Sequence, residues 1–292
     1  MYKILILGGS GLLGSVMVPY LESYGYLVTC FCRNKKTERD IAVNYSDKKD
    51  LQKRINLVQP QFIINLVALT DVDYCEENPH EAYIANVSFL ENIVEWIAQN
   101  GKCHLVQIST DQLYDGSGPQ TEENIKLINY YSYSKFMAEL VVSHIPSTVI
   151  RTNFFGKSNL INRQSFTDWI FASALNNKNI LAFDDVYFSP LSMESLCSFI
   201  HVVLNNPLTG TFNVGAESGI SKADFILLFS QELGLSIENI SRCSIDEMKL
   251  TANRPKDMRM DCTKFKAAYT LSSMPILIDE IKVAIKEYAN GI

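Results

Sequence analysis

The stretch LILGGSGLLGS, residues 5–15, decides how the rest of the chain is read. An apolar run of strand character, YKILIL over 2–7, stops on glycine. Gly8, Gly11 and Gly14 then recur at three-residue spacing up to the mouth of a segment with helical periodicity. At a strand-to-helix turn glycine has three mechanical uses: a tight turn, close approach of backbone to a pyrophosphate, and close packing of helix on strand. The helix that follows would aim its unpaired N–H groups and the positive end of its dipole at the phosphates. Three glycines alone are a weak signal, but after the first strand and ahead of the first helix they point to dinucleotide binding.

Outward from this loop, short β-branched runs alternate with longer segments of helical period, the pattern of an α/β fold with a mostly parallel sheet and helices on both faces. Strands are expected at 2–7, 26–32, 62–68, 103–109 and 147–151, with a weaker one at 41–45. Helices are expected over about 11–24, closed by Gly25; 47–58, ahead of Pro60; 79–99, opened by Pro79; and 131–144. After Arg151 the rhythm changes to a long polar connection, TNFFGKSNLINRQS (152–165). A helix, the strand NILAF (179–183), the helix SMESLCSFIHVVLNN (192–206), the strand GTFNV (210–214), a helix after Ser221 and a closing helix from about 275 follow. The expected division is a sheet domain of residues 1–151, with segments of about 178–206 packing back onto it, and a smaller domain from 152–177 and 207–292.

A chain of 292 residues can remove roughly 75% of its unfolded surface from water. Its 26 basic and 32 acidic residues give a net charge of −6 with no long basic run, so the electrostatic footprint of a nucleic-acid binder is missing. Seven cysteines form no Cys-x-x-Cys, and two of them alternate in the apolar stretch YLVTCFC (26–32); they read as reduced thiols used as small hydrophobes, with neither a metal site nor a disulfide framework expected. MYKILILGG is too short an apolar run for a secretion signal, and no stretch approaches the ~18 apolar residues of a membrane helix. A soluble cytoplasmic protein that binds neither nucleic acid nor membrane is expected.

The second strand's end bears on which dinucleotide is held. A carboxylate there would take the ribose 2′-OH of NAD, whereas a cation suits the 2′-phosphate of NADP. The chain reads CFCRNKK over 30–36, placing Arg33, Lys35 and Lys36 together with no acid before Glu38. NADPH is therefore preferred, with NAD the alternative.

A proton donor is offered by NYYSYSKFMAE (129–139), where Tyr131 and Lys135 are four apart and share a helix face. With 14 Tyr and 18 Lys in 292 residues, about one Tyr-x-x-x-Lys is expected by chance, and a second copy does occur at Tyr45 and Lys49. Context separates the two. Tyr131 follows a strand ending in the hydroxyl pair Ser109 and Thr110, within VQISTDQLYDG (106–116), and lies on a helix of its own; Tyr45 straddles a weak strand and a helix start. Unperturbed tyrosine ionises near ~10, and a nearby ammonium brings it toward working pH as a general acid or base. Tyr130 and Tyr133 have no lysine one turn on and read as packing or substrate-facing residues. None of the four histidines adjoins a motif, and His104, inside an apolar strand, reads as a satisfied core residue.

The glycine loop, the Ser-Thr strand end and Tyr-x-x-x-Lys, in this order, resemble the extended short-chain dehydrogenases/reductases. NLVALTDVDYCEENP (65–79), ANV around Asn86, STDQLYDG (109–116), RTNFFG (151–156) and RPKDMRMDCTKF (254–265) are similar to the dTDP-4-dehydrorhamnose reductase branch, and the likeness covers nearly the whole chain. The resemblance implies a Rossmann-type doubly wound domain with a smaller α/β sugar-nucleotide domain, and reduction of a 4-keto-6-deoxy sugar nucleotide by NADPH. It implies that Tyr131 protonates the alkoxide, Lys135 holds the ribose and tunes Tyr131, and Thr110 hydrogen-bonds the keto oxygen. Asp111, Phe154 and Arg254 fall at substrate positions. Gly8, Gly11, Leu12, Leu13, Gly14, Arg33, Asn44, Tyr45, Val67, Ala68, Leu69 and Lys135 fall at cofactor positions. Homodimers through the helices matching 79–99 and 131–144 are also implied.

There are departures. Leu66 and Val67 replace the small residues usual after the strand-four asparagine, and Phe154 stands where rhamnose reductases often carry tryptophan. Gln112 follows Thr110-Asp111 where a 4,6-dehydratase needs glutamate and a GDP-fucose epimerase-reductase has cysteine; glutamine cannot exchange the proton. Two alternatives remain: an NADP-binding regulatory subunit similar to the β subunit of methionine adenosyltransferase, and a sugar-nucleotide epimerase with bound NAD, which Arg33 disfavours.

Overall fold

A strand covered on both faces has to be apolar at every position, and Ile4, Leu5, Ile6 and Leu7 are all fully buried in the first strand. The structure is a computed structural model that describes residues 2–33, 35, 37, 38 and 40–289; Lys36 lies outside the described residues. Its first half runs β1 (Lys3–Leu7), α1 (Leu12–Ser23), β2 (Leu27–Cys32), β3 (Asp40–Ala42), α2 (Lys48–Val58), β4 (Phe62–Asn65), α3 (Val72–Glu77), α4 (Pro79–Tyr83), a π-helical turn (Ile84–Ser88), α5 (Phe89–Asn100), β5 (His104–Ile108), α6 (Tyr130–Val142) and β6 (Ser147–Arg151). There follow β7 (Phe154–Phe155), α7 (Phe166–Leu175), β8 (Ile180–Phe183), β9 (Tyr187–Phe188), β10 (Leu191–Ser192), α8 (Met193–Asn205), β11 (Gly210–Asn213), β12 (Ile220–Ser221), α9 (Lys222–Glu232), β13 (Ile240–Cys243), α10 (Thr263–Ala268) and α11 (Leu277–Ala289).

The large sheet has seven strands in the order β11-β6-β5-β4-β1-β2-β3. Strands β1 to β6 pair parallel throughout, as the alternation of strand and helix requires. Strand order reverses direction between β1 and β4, so the crevice at their carboxyl ends is where an open α/β sheet takes its ligand. Leu5, Leu7, Phe31, Ile63, Leu90 and Leu105 anchor the core of this part. His104 is a satisfied residue: its Nε2 lies 2.8 Å from the Thr148 Oγ1, which donates to the Leu208 carbonyl at 2.6 Å. Burial lowers its pKa to about 4.

Two expected elements are shortened or broken. The fourth strand ends at Asn65 rather than Ala68, and the helix expected over 79–99 is interrupted by the π-helical turn Ile84–Ser88. Both departures involve Asn86, whose side chain binds the backbone of the segment after β4.

Internal contacts divide the chain into two units. The first comprises 1–110, 129–151 and 199–212; the second comprises 111–128, 152–198 and 213–292. These limits differ from the division expected at Arg151. Segment 111–128 is bonded within the second unit, where Tyr114 OH donates to Asn213 Oδ1 at 2.6 Å and Gln120 N to the Arg259 carbonyl at 2.7 Å. Strand β8 pairs parallel with β13 inside the second unit. The second unit otherwise holds the small pairs β7/β10 and β9/β12 around Phe155, Phe166, Phe188, Phe225 and Phe229.

All seven cysteines are free thiols, six of them buried; burial raises Cys103, Cys197 and Cys262 to about 12, which keeps them protonated. Among the described residues no helix is long and apolar enough to cross a membrane.

A Cβ on Gly14 would stand 2.5 Å from the Gly9 carbonyl oxygen and 2.7 Å from that of Gly8, backbone atoms that cannot swing aside. Gly14→Ala is expected to lower the unfolding free energy by about 1–3 kcal/mol, seen as a lower urea midpoint; an unchanged midpoint would mean that the turn relaxes freely.

Candidate active site

The first unit builds its cradle from the turn after β1. Gly8 has φ +82°, a conformation open to glycine, and a Cβ there would meet Val67 at 3.2 Å. Gly8 N donates to the Phe31 carbonyl at 3.0 Å and Gly11 N to the Gly8 carbonyl at 2.9 Å, closing the turn. Gly11 caps α1, so the amides of Leu12, Leu13 and Gly14 stand in the first turn, where a helix leaves its N–H groups to an outside acceptor. With glycine at 8 and 14 the turn closes tightly on itself, and the amides that it leaves at the start of α1 suit a pyrophosphate.

Arg33 is exposed directly after β2, at the same end of the sheet. Asn44 is exposed, with its Oδ1 accepting from Ser46 N at 3.1 Å. Tyr45 is tied down: its hydroxyl donates to the Phe31 carbonyl at 2.8 Å and its ring meets Phe89 edge-on at 5.4 Å. Burial raises its pKa further from working pH. The Tyr45–Lys49 copy of the motif is thus unsuited to acid chemistry, although Tyr45 can still line the cradle by packing.

Val67, Ala68 and Leu69 follow β4 and are half-buried. Val67 N donates to Asn65 Oδ1 at 3.1 Å, and Leu69 N to Asn86 Oδ1 at 2.7 Å. Asn86 Nδ2 donates to the Leu69 carbonyl at 3.1 Å and to Ser134 Oγ at 2.8 Å. Ser134 Oγ in turn donates to the Tyr131 carbonyl at 2.8 Å. One amide therefore fixes the loop after β4 to the helix that carries Tyr131 and Lys135.

That helix, α6, starts where Asn129 Oδ1 accepts from Ser132 N at 2.8 Å and Ser132 Oγ accepts from Asn129 N at 3.3 Å. Tyr131 and Lys135 are both buried on it. Lys135 Nζ donates to the Ile108 carbonyl at 2.8 Å, at the carboxyl end of β5. Burial pulls its pKa down to about 8, and the Glu139 charge opposes that shift. Glu139 is buried too, held by Arg151 through Nε at 3.0 Å and Nη2 at 2.6 Å, and it accepts from Ser109 Oγ at 2.5 Å. Of the two hydroxyls at this strand end, Ser109 is committed to Glu139. Thr110, the next residue, is buried as well.

In the second unit Asp111 is buried and accepts from Asn153 Nδ2 at 2.7 Å. Phe154 is half-buried in β7, and Arg254, also half-buried, donates from Nη1 to the Ala252 carbonyl at 3.0 Å. The structure thus bonds Lys135 to the strand end that carries Thr110, with Tyr131 buried one turn earlier on the same helix, in the unit that holds the glycine turn. It places Asp111, Phe154 and Arg254 in the second unit.

Sequence reasoning gave no role to Glu139, Arg151 or Lys222. Glu139 continues the Tyr131, Lys135 stripe by one further turn, and Arg151 is a charge in the apolar strand STVIR; both signals were present. Lys222, on which Asp111 and Arg254 act electrostatically, opens α9.

A parallel sheet with a glycine turn at its switch point and a buried Tyr-x-x-x-Lys helix is the architecture of the Rossmann-type short-chain dehydrogenases/reductases. The chain belongs to the family described as the RmlD substrate binding domain, whose model matches residues 2–289. A dTDP-4-dehydrorhamnose reductase of Salmonella typhimurium is 24% identical, with 92% of each chain covered. A probable low-salt glycan biosynthesis reductase of Haloferax volcanii is 22% identical over 98% of this chain and 99% of that one. Among solved structures, dTDP-4-dehydrorhamnose reductase of Bacillus anthracis in complex with NADP superimposes with a TM-score of 0.88 at 22% identity, covering 98% of this chain and 99% of that one. The methionine adenosyltransferase 2 subunit beta of Danio rerio is 20% identical over 90% of this chain and 84% of that one.

The depressed pKa of Lys135 has a signed consequence. An unfolded lysine keeps its proton to about 10.5, whereas folded Lys135 releases it from about 8. Between those values the unfolded state binds more protons, so stability rises with pH; below pH 8 burial of the ammonium costs about 3 kcal/mol. Comparing urea midpoints of wild type and Lys135→Met, the difference is expected to move in favour of wild type from pH 8 to 10.5. A pH-independent difference would show that the ammonium is not desolvated.

Proposed function

We propose that the protein is an NADPH-dependent reductase of a 4-keto-6-deoxy sugar nucleotide, acting in nucleotide-sugar and surface-polysaccharide biosynthesis. The observation that carries this reading is the buried Lys135 ammonium, fixed at the Ile108 carbonyl one helical turn after buried Tyr131. A buried cation costs folding free energy, and its use here is to favour the phenolate that remains once Tyr131 has given its proton away.

The residues of the glycine turn, with Leu12, Leu13, Val67, Ala68, Leu69, Asn44 and Tyr45, would hold NADPH, and Arg33 would meet its 2′-phosphate. Bound there, the cofactor supplies the hydride that reduces the keto carbon. Thr110 donates a hydrogen bond to the keto oxygen and orients it; Tyr131 delivers the proton to that oxygen as negative charge develops. Lys135, one of whose N–H groups is spent on Ile108, has others for a ribose hydroxyl and for the charge on Tyr131. Asp111, Phe154 and Arg254 bind the substrate. The relatives named as dTDP-4-dehydrorhamnose reductases and the NADP-bound structural neighbour support this reading. The thiols held protonated by burial suit a reducing cytoplasm.

The test is oxidation of NADPH with a panel of dTDP-, GDP- and UDP-linked 4-keto sugars. Tyr131→Phe is expected to retain cofactor affinity and lose turnover by ~100-fold or more. NADPH binding with no sugar reduced by the wild type would instead favour a regulatory subunit of the kind named above.

A homodimer is also proposed. Tyr130, Tyr133, Met137 and Leu140 form one stripe on α6 and are 48%, 49%, 42% and 51% exposed, an apolar face suited to a second copy. Light scattering is expected to give twice the chain mass for wild type and the single mass for Met137→Glu/Leu140→Glu; a monomeric wild type overturns the proposal.

A further inference from the structure

Glu139 takes part in no step of the reduction proposed above, yet it follows Tyr131 and Lys135 along the same face of α6, one turn further on. Glu139, Lys135 and Arg151 are all buried, and three ionisable groups out of water are costly unless they compensate one another. Glu139 Oε1 accepts from Ser109 Oγ at 2.5 Å and from Arg151 Nε at 3.0 Å, and its Oε2 accepts from Arg151 Nη2 at 2.6 Å. Lys135 Nζ donates at 2.8 Å to the carbonyl of Ile108, the residue before Ser109. Ammonium and carboxylate are thus anchored on consecutive residues of one strand end, each to its own partners. Burial pulls the Lys135 pKa down, and the Glu139 charge opposes that pull. On the other helices packed against α6, Asp73, Glu76 and Glu77 of α3, His80 and Glu81 of α4, and Glu91 and Glu95 of α5 are exposed or half-buried. His104 stands at the opposite end of β5. The buried countercharge of Lys135 is therefore Glu139.

We propose that Glu139, fixed by Arg151 and Ser109, is a positioning residue that acts through Lys135, keeping the ammonium charged while leaving its remaining N–H groups to the phenol and the ribose; the assignment rests on the reductase reading above. A carboxylate bonded straight to the ammonium would cancel the charge that the Tyr131 phenolate needs. Without any carboxylate the buried lysine would give up its proton, and the charge would be lost in another way. Arg151 and Ser109 avoid both outcomes, because they take up the carboxylate oxygens and hold Glu139 at one remove from Lys135.

The test uses the full chain and a readout that a merely structural ion pair would not move. Glu139→Gln keeps an acceptor for Ser109 and removes the charge. Its kcat/KM for the sugar nucleotide, measured at saturating NADPH, is expected to fall with rising pH about one unit or more earlier than that of wild type. Glu139→Asp, which keeps the charge, is expected to hold the wild-type profile. Because Glu139→Gln strips buried Arg151 of its carboxylate, Glu139→Gln/Arg151→Met accompanies it; with neither charge left, this variant is expected to fold as stably as wild type and to show the early fall as well. A wild-type profile in both Gln variants overturns the proposal. A second readout needs neither sugar nor cofactor: urea midpoints of wild type and of Glu139→Gln/Arg151→Met, each compared with the same chain carrying Lys135→Met. In wild type the contribution of Lys135 is expected to begin rising at about pH 8. Without Glu139 folded Lys135 releases its proton at lower pH while the unfolded chain still holds it, so the rise is expected to begin correspondingly lower. An onset that stays in place overturns the proposal. A lowered onset in a protein that reduces no sugar would sink the reductase reading and leave the link between Glu139 and Lys135 standing; reduction with unmoved profile and onset would do the reverse.

Discussion

A carboxylate and a guanidinium, each with 4% of its side chain exposed, meet where α6 crosses the carboxyl ends of β5 and β6. The Glu139–Arg151 pair is not there for stability alone, since apolar residues of the same volume would hold the two elements at least as well. What it fixes is direction. Arg151 engages the carboxylate through Nε and Nη2, so Glu139 has one orientation, and its remaining capacity is filled by Ser109. With Glu139 set, Lys135 one turn earlier faces the Ile108 carbonyl, and Tyr131 one turn before that is placed by the same helix. The negative charge also tempers the desolvation of Lys135, which without it would release its proton at a still lower pH.

A second constraint acts from the other side of α6. Residues 66–69 leave the sheet after Asn65 and need partners for their backbone, because buried amides without any are costly. Asn86 supplies both an acceptor and a donor to Leu69 and reaches Ser134 as well. The π-helical turn Ile84–Ser88 is the local form of the backbone that carries this residue; such wide turns recur where a helix gives up regularity to aim a side chain. The cofactor-side loop and the proton-donating helix are thereby one hydrogen-bonded body.

Much of this was legible in the chain. Strands β1, β2, β4, β5 and β6 are apolar runs whose period and punctuation leave little choice, and the glycines of 8–14 announce the turn that crosses β1 to α1. Tyr131 and Lys135 could be separated from Tyr45 and Lys49 by the order of motifs alone; the structure adds the reason, a Tyr45 hydroxyl spent on Phe31. In the second unit β8 was legible as NILAF, but its pairing with β13 and the two-residue pairs β7/β10 and β9/β12 were beyond reach, because pairings of that length depend on tertiary partners rather than on local pattern. The π turn was hidden for the same reason, since 79–99 reads as an unbroken helix until the needs of Leu69 are known. Ser109 and Thr110 looked equivalent as hydroxyls, and the bond from Ser109 to Glu139, thirty residues on, could not be read from the strand end alone.

Two buried or half-buried lysines show how differently one side chain can be used. Lys135 has its carbonyl and its carboxylate within the fold, so its charge is provided for before any ligand arrives, and the site is preorganised for charge that develops on Tyr131. Lys222, at the start of α9, has its charge disfavoured by burial and by Arg254 and favoured by Asp111. A group compensated from within belongs to the chemistry, where reorganisation during the step would slow it.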